Sequence, residues 1–453
     1  MSKGLLLKNC RLVATQNDAR DELADTDIYI KDGVIEGIGR GLRVNAEEEI
    51  DCRWAVAVPG MVNTHHHLFQ VLTRNLPGGQ DAKLFDWLVY HYEIWRGVTP
   101  EAEYAAARCG LGELLLTGCT TSADHHYLFP RGGSNEIIDA EIAAAEELGI
   151  RFHPTRGSMS LGKSSGGLPP DDLCQSEEEI LRESRRVIER YHDGRRYSMC
   201  RVAVAPCSPF SVTGELLRET AALARQYGVQ LHTHLCETMD EEVYCMERYG
   251  MRPLAYMEGV GWAGEDVWYA HGIYFNEEEI ERVGARRTGV AHCPSSNLRL
   301  GSGIAPVRAL VRAGARVGLG VDGSASNDTS NMLMEARMAL LVQRIKAGVG
   351  SMTARDAWWL ATRGGAAVLG RDDIGSIEVG KAADIALFDI SGLAYAGAQS
   401  DPLAALLFCG YDQRAWMTIV NGRIVVREKQ LVTGDEWEIA EEANKASARL
   451  LGG

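Results

Sequence analysis

His65 and His67 stand two residues apart, directly after the run Pro59-Gly-Met-Val-Asn-Thr. On an extended strand, residues i and i+2 project to the same side, so the two imidazoles can share one metal ion. His66, between them, points elsewhere and takes no role. A single His-x-His is more often incidental than functional, so the pair needs partners. They stand at the ends of later apolar runs. His234 closes Gln230-Leu-His-Thr-His-Leu, His271 closes Val267-Trp-Tyr-Ala-His, and Asp322 closes Val317-Gly-Leu-Gly-Val-Asp. Any one of these alone reads as a core or surface residue. All five at equivalent places on successive strand-like runs read as one site. Three imidazoles and a carboxylate suit zinc or another borderline first-row ion, with a position left for water. Such an ion lowers the pKa of its water toward ~7. Glu237, three residues after His234, is the candidate proton carrier. A carboxylate at the start of a helix is also favoured by the helix dipole alone.

The elements that must position these groups alternate through the middle of the chain. Strand-like runs cover residues 55–62, 120–125, 151–155, 201–205, 230–235, 267–271, 289–293 and 317–321, each leading into a helix-like stretch. That pattern predicts an α/β fold, a (β/α)8 barrel over residues 59–370, with the candidate groups at the C-terminal ends of its strands. The two ends of the chain have a different texture. Residues 27–39 alternate around Asp32-Gly33, residues 383–389 read as a strand, and residues 416–427 alternate around Asn421-Gly422. Asp-Gly and Asn-Gly between alternating runs are two-residue hairpin signals. Residues 1–58 and 371–433 therefore predict one small β domain assembled from both termini, and 434–453 a C-terminal helix. The Gly- and Pro-rich loop at 158–172 is expected over the barrel mouth.

Composition bounds the chemistry. With 453 residues, 45% hydrophobic and 24% charged, the chain is long and apolar enough for a large core, which excludes disorder, collagen and coiled coil. A net charge of −15 argues against duplex nucleic acid as a partner, since phosphate binding needs a basic face, but not against a free base. The 11 cysteines include no Cys-x-x-Cys and read as reduced thiols. The N-terminal run of three leucines is too short for a signal-peptide core, and no apolar stretch reaches the ~18 residues of a membrane helix. The expectation is a cytoplasmic protein with no membrane partner.

The motifs Pro59-Gly-Met-Val-Asn-Thr-His65-His66-His67, His234-Leu-Cys-Glu237, His271 and Gly320-Val-Asp322-Gly, with Gly380-Lys-Ala-Ala-Asp384 near the end, resemble the amidohydrolase superfamily over nearly the whole chain. The resemblance implies a distorted (β/α)8 TIM barrel with a small β-sandwich domain. It also implies a hydrolase in which His65, His67, His234 and Asp322 bind one divalent metal ion, zinc. In that pattern His271 hydrogen-bonds the activated water, Asp322 accepts its proton, and Glu237 shuttles protons to the substrate ring. No lysine ends the expected fourth strand, so a carboxylated-lysine two-metal site is not implied. The branch is that of mononuclear deaminases.

Within that branch the stretches His67-Leu-Phe-Gln70, residues 84–95, Ala205-Pro-Cys207-Ser-Pro-Phe210 and residues 322–328 are similar to 8-oxoguanine deaminases, and more distantly to triazine hydrolases and guanine deaminases. The implied reaction is 8-oxoguanine plus water to urate and ammonia. Guanine or isoguanine deamination and triazine dechlorination are the nearest alternatives, and a non-catalytic barrel scaffold is the remote one. Gln70 carries an amide that can pair with a purine edge. Cys207 stands where adenosine-type relatives carry His and guanine deaminases Arg, and it reads equally as a specificity residue or an inert buried thiol. Arg156 is expected to face a substrate carbonyl. The partner is a small heterocyclic molecule, not a nucleic acid polymer, and the chain is expected to be a homo-oligomer, as relatives commonly are. The small cytidine-type zinc deaminase is excluded, because its Pro-Cys-x-x-Cys motif is missing at Pro206-Cys207-Ser-Pro-Phe.

Overall fold

The computed structural model describes residues 4–409 and 414–452. Its centre is a closed barrel of eight parallel strands. In chain order these are Met61–Asn63, Cys119–His126, Arg151–Ser158, Ala203–Pro206, Gln230–Leu235, Val267–His271, Gly289–His292 and Arg316–Leu319. They are called barrel strands one to eight below. Strand eight closes on strand one through Leu319 and Asn63. These strands are buried along nearly their whole length, and helices cover their outer faces. This is why they read as short continuous apolar runs rather than alternating ones.

The run expected as one strand over residues 55–62 is two. Ala55–Pro59 pairs with Leu5–Ala14 and Ile385–Asp389 in the terminal sheet, and barrel strand one begins only at Met61. Gly60 is the pivot. A Cβ there would lie 2.1 Å from Thr120 Oγ1, so only glycine lets the chain pass from one sheet into the other.

Strands from both termini form a nine-stranded sheet. Alternate residues divide its faces: Leu7, Val13, Ile28, Ile385 and Ile419 share one apolar cluster, while Val56, Val58, Phe388 and Val426 join the core around the barrel. Both expected hairpins are present. Asp32 and Gly33 have φ of 54° and 80°, Asn421 and Gly422 of 48° and 79°, the paired left-handed conformations of a type I′ turn. The turns pack against each other, since a Cβ on Gly33 would meet the Asn421 carbonyl oxygen at 2.8 Å.

The barrel and the sheet are joined by a buried ion pair. Arg151, at the start of barrel strand three, forks onto Asp384 with two N–H···O distances of 3.0 Å. The helix Glu436–Leu450, capped by Asp435, lays Ala443 and Ala446 against Ala105 and Ala106 of the helix Pro100–Leu116. Among the described residues no helix is long and apolar enough to cross a membrane.

Candidate metal and catalytic centre

Barrel strand one delivers its histidines just past its last paired residue. His65 and His67 face inward, and His66 turns away to place Nε2 at 2.9 Å from Ser330 Oγ. Strand five delivers His234, strand six His271, and the segment after strand eight Asp322. His271 and Asp322 have φ of 74° and 65°, left-handed conformations that side chains other than glycine's rarely adopt. Strain of this kind concentrates at functional sites, where the surrounding fold holds it.

The hydrogen bonds around the rings fix where the protons sit. His67 Nδ1 lies 2.7 Å from the His125 carbonyl and His234 Nδ1 2.7 Å from the Cys207 carbonyl. A carbonyl only accepts, so each Nδ1 carries the hydrogen and each Nε2 keeps a lone pair. For His65 the logic runs through a second ring. His232 Nδ1 donates to the Trp268 carbonyl at 2.9 Å, so its Nε2 accepts from His65 Nδ1 at 2.8 Å. His65 Nε2 is again a bare lone pair, buried and without a hydrogen-bond partner. Burial holds all these rings neutral: His65 and His232 fall well below the usual imidazole value, His67 to about 4 and His234 to about 3.

These lone pairs converge. His67 Nε2 and His234 Nε2 are 3.1 Å apart, and Asp322 Oδ1 is 3.3 Å from His65 Nε2 and 3.4 Å from His67 Nε2. Two nitrogen lone pairs facing each other at that distance repel unless a cation lies between them. Ligand atoms of a tetrahedral zinc, at 2.0–2.1 Å from it, stand about 3.3 Å from one another. The donor set therefore fits a divalent metal in both spacing and protonation. Asp322 is held well below the usual carboxylate range by its three histidine neighbours, against the opposing effect of burial.

His271 Nδ1 donates to Asn297 Oδ1 at 2.9 Å, which aims Nε2 between Glu237 Oε2 at 3.6 Å and Asp322 Oδ2 at 3.9 Å. Burial raises Glu237 to about 7, with His271 pulling it down and Asp322 pushing it up. A carboxyl poised there can give and take a proton at neutral pH. Its backbone N–H is held by Glu241 Oε2 at 2.9 Å.

The cavity beside this centre is walled by Leu84, Trp87, Leu88, Phe210 and Leu300, an apolar slot with the metal-facing groups at its base. Gln70 and Cys207 both line it. Gln70 Oε1, Tyr92 Oη and Trp87 Nε1 are buried there with no hydrogen-bond partner. Burial pushes the Cys207 thiol up to about 12, so it stays neutral. Arg156 is elsewhere. Its strand continues to Ser158, and its guanidinium stacks 3.6 Å from the Phe129 ring centroid and donates to Gln175 Oε1 at 2.6 Å. The expected contact between Arg156 and substrate is thus corrected: its Nη atoms are spent on Gly157 of its own strand and on Asn135 and Gln175, and it does not line the slot.

Four groups escaped the sequence reading. His232 carries the signal that found His65 and His67, being two residues before His234 on one strand. His125, Asn297 and Glu241 act through contacts made by folding, with no spacing signal.

Comparison with known proteins agrees with the geometry. Residues 56–425 match the Amidohydrolase family. The 8-oxoguanine deaminase of Pseudomonas aeruginosa is 50% identical over 398 residues, 87% of this chain and 88% of that one. The hydroxydechloroatrazine ethylaminohydrolase of Pseudomonas sp. strain ADP is 37% identical over 456 residues, 97% and 94% of the two chains. The crystal structure of an atrazine chlorohydrolase from Arthrobacter aurescens TC1 complexed with zinc has a TM-score of 0.94 at 35% identity, covering 98% of this chain and all of that one. A metal-ready cluster at the mouth of an eight-stranded barrel, with a family match across most of the chain, places this protein in the amidohydrolase family.

Proposed function

We propose that the chain hydrolyses an amino group from an oxidised purine base, converting 8-oxoguanine and water to urate and ammonia, around one zinc ion held by His65, His67, His234 and Asp322. The observation that carries this reading is the convergence of three Nε2 lone pairs and one carboxylate oxygen beside a carboxyl poised near neutrality, at the base of an apolar slot. The purine comes from the 50% identical Pseudomonas aeruginosa relative, which is an 8-oxoguanine deaminase.

A bound divalent ion supplies a polarised water that is deprotonated near neutral pH. The chain's own groups do the rest. With the ion held in place, Asp322 Oδ2, which faces His271, would accept a proton from the attacking water. Glu237 protonates the ring nitrogen beside the amine-bearing carbon, making that carbon electrophilic. The water oxygen adds to the carbon; as the C–N bond breaks, the amine takes the proton held by Asp322, passed through Glu237, and leaves as ammonia, and the hydroxyl proton of the adduct then restores Glu237 as the C=O forms. His271, its Nδ1–H fixed by Asn297, keeps Nε2 directed at both carboxylates and orients the water. Gln70, Tyr92 and Trp87 offer an acceptor and donors to a flat heterocycle stacked in the slot. Cys207 is small and neutral there, leaving room against the ring where a longer side chain would not.

Steady-state assays of zinc-loaded protein test the reading, with 8-oxoguanine, guanine, isoguanine and a chloro-triazine compared side by side. The expected result is urate from 8-oxoguanine at the highest kcat/KM, and a roughly 10- to 200-fold loss for Gln70→Ala, the size of one lost polar contact in a buried site. No urate from 8-oxoguanine, with turnover of guanine or the triazine instead, overturns the substrate assignment.

A further inference from the structure

Barrel strand two carries a second constellation on its outer face. His125 points into the barrel and stacks on His234, with ring centroids 4.8 Å apart. By the alternation of a strand, Asp124 and His126 point the other way. There they meet Glu103 of the helix Pro100–Leu116 and Glu141 of the helix Ile137–Leu148. All four side chains are fully buried.

Several of their polar atoms are unmatched. His126 Nε2 donates to the Leu128 carbonyl at 2.8 Å, which leaves Nδ1 as a lone pair. That lone pair faces Glu103 Oε2 at 3.6 Å and Glu141 Oε2 at 3.8 Å. It has no hydrogen-bond partner, and neither has either oxygen of Glu103, whereas the carboxyl groups of Glu141 and Asp124 engage each other. Asp124 Oδ1 accepts the Leu68 N–H at 2.7 Å. The rings of Phe69 and Phe129 close over His126.

A protonated His126 does not resolve this. Distances of 3.6 and 3.8 Å lie beyond hydrogen-bond range, and without a cation burial pushes Asp124 and Glu141 up toward their neutral forms, a desolvation cost that a bound ion would relieve. Spacings somewhat above 3 Å are those between neighbouring ligands of one cation, and the Nδ1 and carboxylate oxygens lie within 4.8 Å of one another. Two glutamates and one imidazole, with Asp124 hydrogen-bonded behind Glu141, make an oxygen-rich set suited to zinc, manganese or ferrous iron.

We propose that Glu103, Glu141 and His126, with Asp124 beside them, form a second, structural divalent-metal site behind the catalytic centre. Its enclosure means that the ion enters as the chain folds and exchanges slowly afterwards. It braces the strand whose His125 packs on His234, and through Asp124 and Leu68 it braces the segment that carries His67. The site stands apart from the substrate assignment, and the two fail separately.

Full-length protein is expressed in medium supplemented with zinc and manganese, purified without chelator, and its metal counted per chain by mass spectrometry. The expected count is two. Glu103→Gln with Glu141→Gln is expected to reduce it to one, and His65→Ala with His67→Ala to remove the other. Anomalous diffraction from wild-type crystals, which needs no variant to fold, is expected to give a peak between His126 Nδ1 and the two glutamates. A count of one in the wild type, or an anomalous map with no peak at His126, overturns the proposal and leaves a cluster of carboxyl groups sharing protons.

Discussion

Glu237 has the pKa best matched to its task. Replacing it with glutamine keeps the shape and removes the titrating proton. Glu237→Gln is expected to lower kcat by about 10²–10⁴, the usual weight of one general acid-base group, with the metal count of the catalytic centre unchanged. The same group makes a stability prediction with a definite sign. Its pKa is raised from 4.5 to about 7 on folding, so the folded state disfavours the carboxylate. No cost arises below the unfolded value. The cost grows between pH 4.5 and 7 and is complete above 7, at about 3 kcal/mol by linkage. In metal-stripped protein, Glu237→Gln should therefore raise the melting temperature at pH 8.5, and the gain should shrink toward pH 5. A gain that is the same at both pH values would show that Glu237 does not titrate between them. At this same scale, Gln70 and Cys207 were found by sequence and do line the cavity, whereas Arg156 was misread. The expected strand ends at residue 155, just before Arg156, whereas the strand runs on to Ser158 and carries Arg156 within it.

At the scale of elements, the site depends on what lies one layer behind the metal-facing atoms. His232 fixes the tautomer of His65 by accepting its Nδ1–H and passing the restraint to the Trp268 carbonyl. His232→Ala is expected to weaken zinc affinity about 10- to 100-fold, measured by competition with a chelator, because His65 loses the acceptor that holds its lone pair inward. The junction of barrel and terminal sheet rests on the Arg151–Asp384 fork. Asp384 also accepts the Asn421 N–H at 2.7 Å, so it anchors the second hairpin turn as well. Asp384→Asn leaves a buried guanidinium without its counter-charge and should cost about 3–5 kcal/mol in urea unfolding. A cost below ~1 kcal/mol would mean that the two units hold together without the pair. The hairpin turns themselves were readable from Asp32-Gly33 and Asn421-Gly422, because a type I′ turn demands those residue types locally. The break at Gly60 was not, because a continuous apolar run looks the same whether it stays in one sheet or crosses to another.

On the scale of the whole molecule, a net charge of −15 surrounds a buried centre that holds several carboxylates and, when loaded, a cation. A neutral heterocycle is suited to such a molecule, where a polyanion is not. The sequence by itself determined the order of elements, the barrel with a sheet from both termini, and the five strand-end residues, since strand period and residue type are local properties. Only the tertiary structure decided which nitrogen of each histidine is bare, that Asn297 and Glu241 stand behind His271 and Glu237, and that Arg156 faces away from the slot. It alone brought Glu103, Asp124, His126 and Glu141 into one buried cluster. Those outcomes depend on contacts between residues far apart in the chain, which no spacing along it encodes.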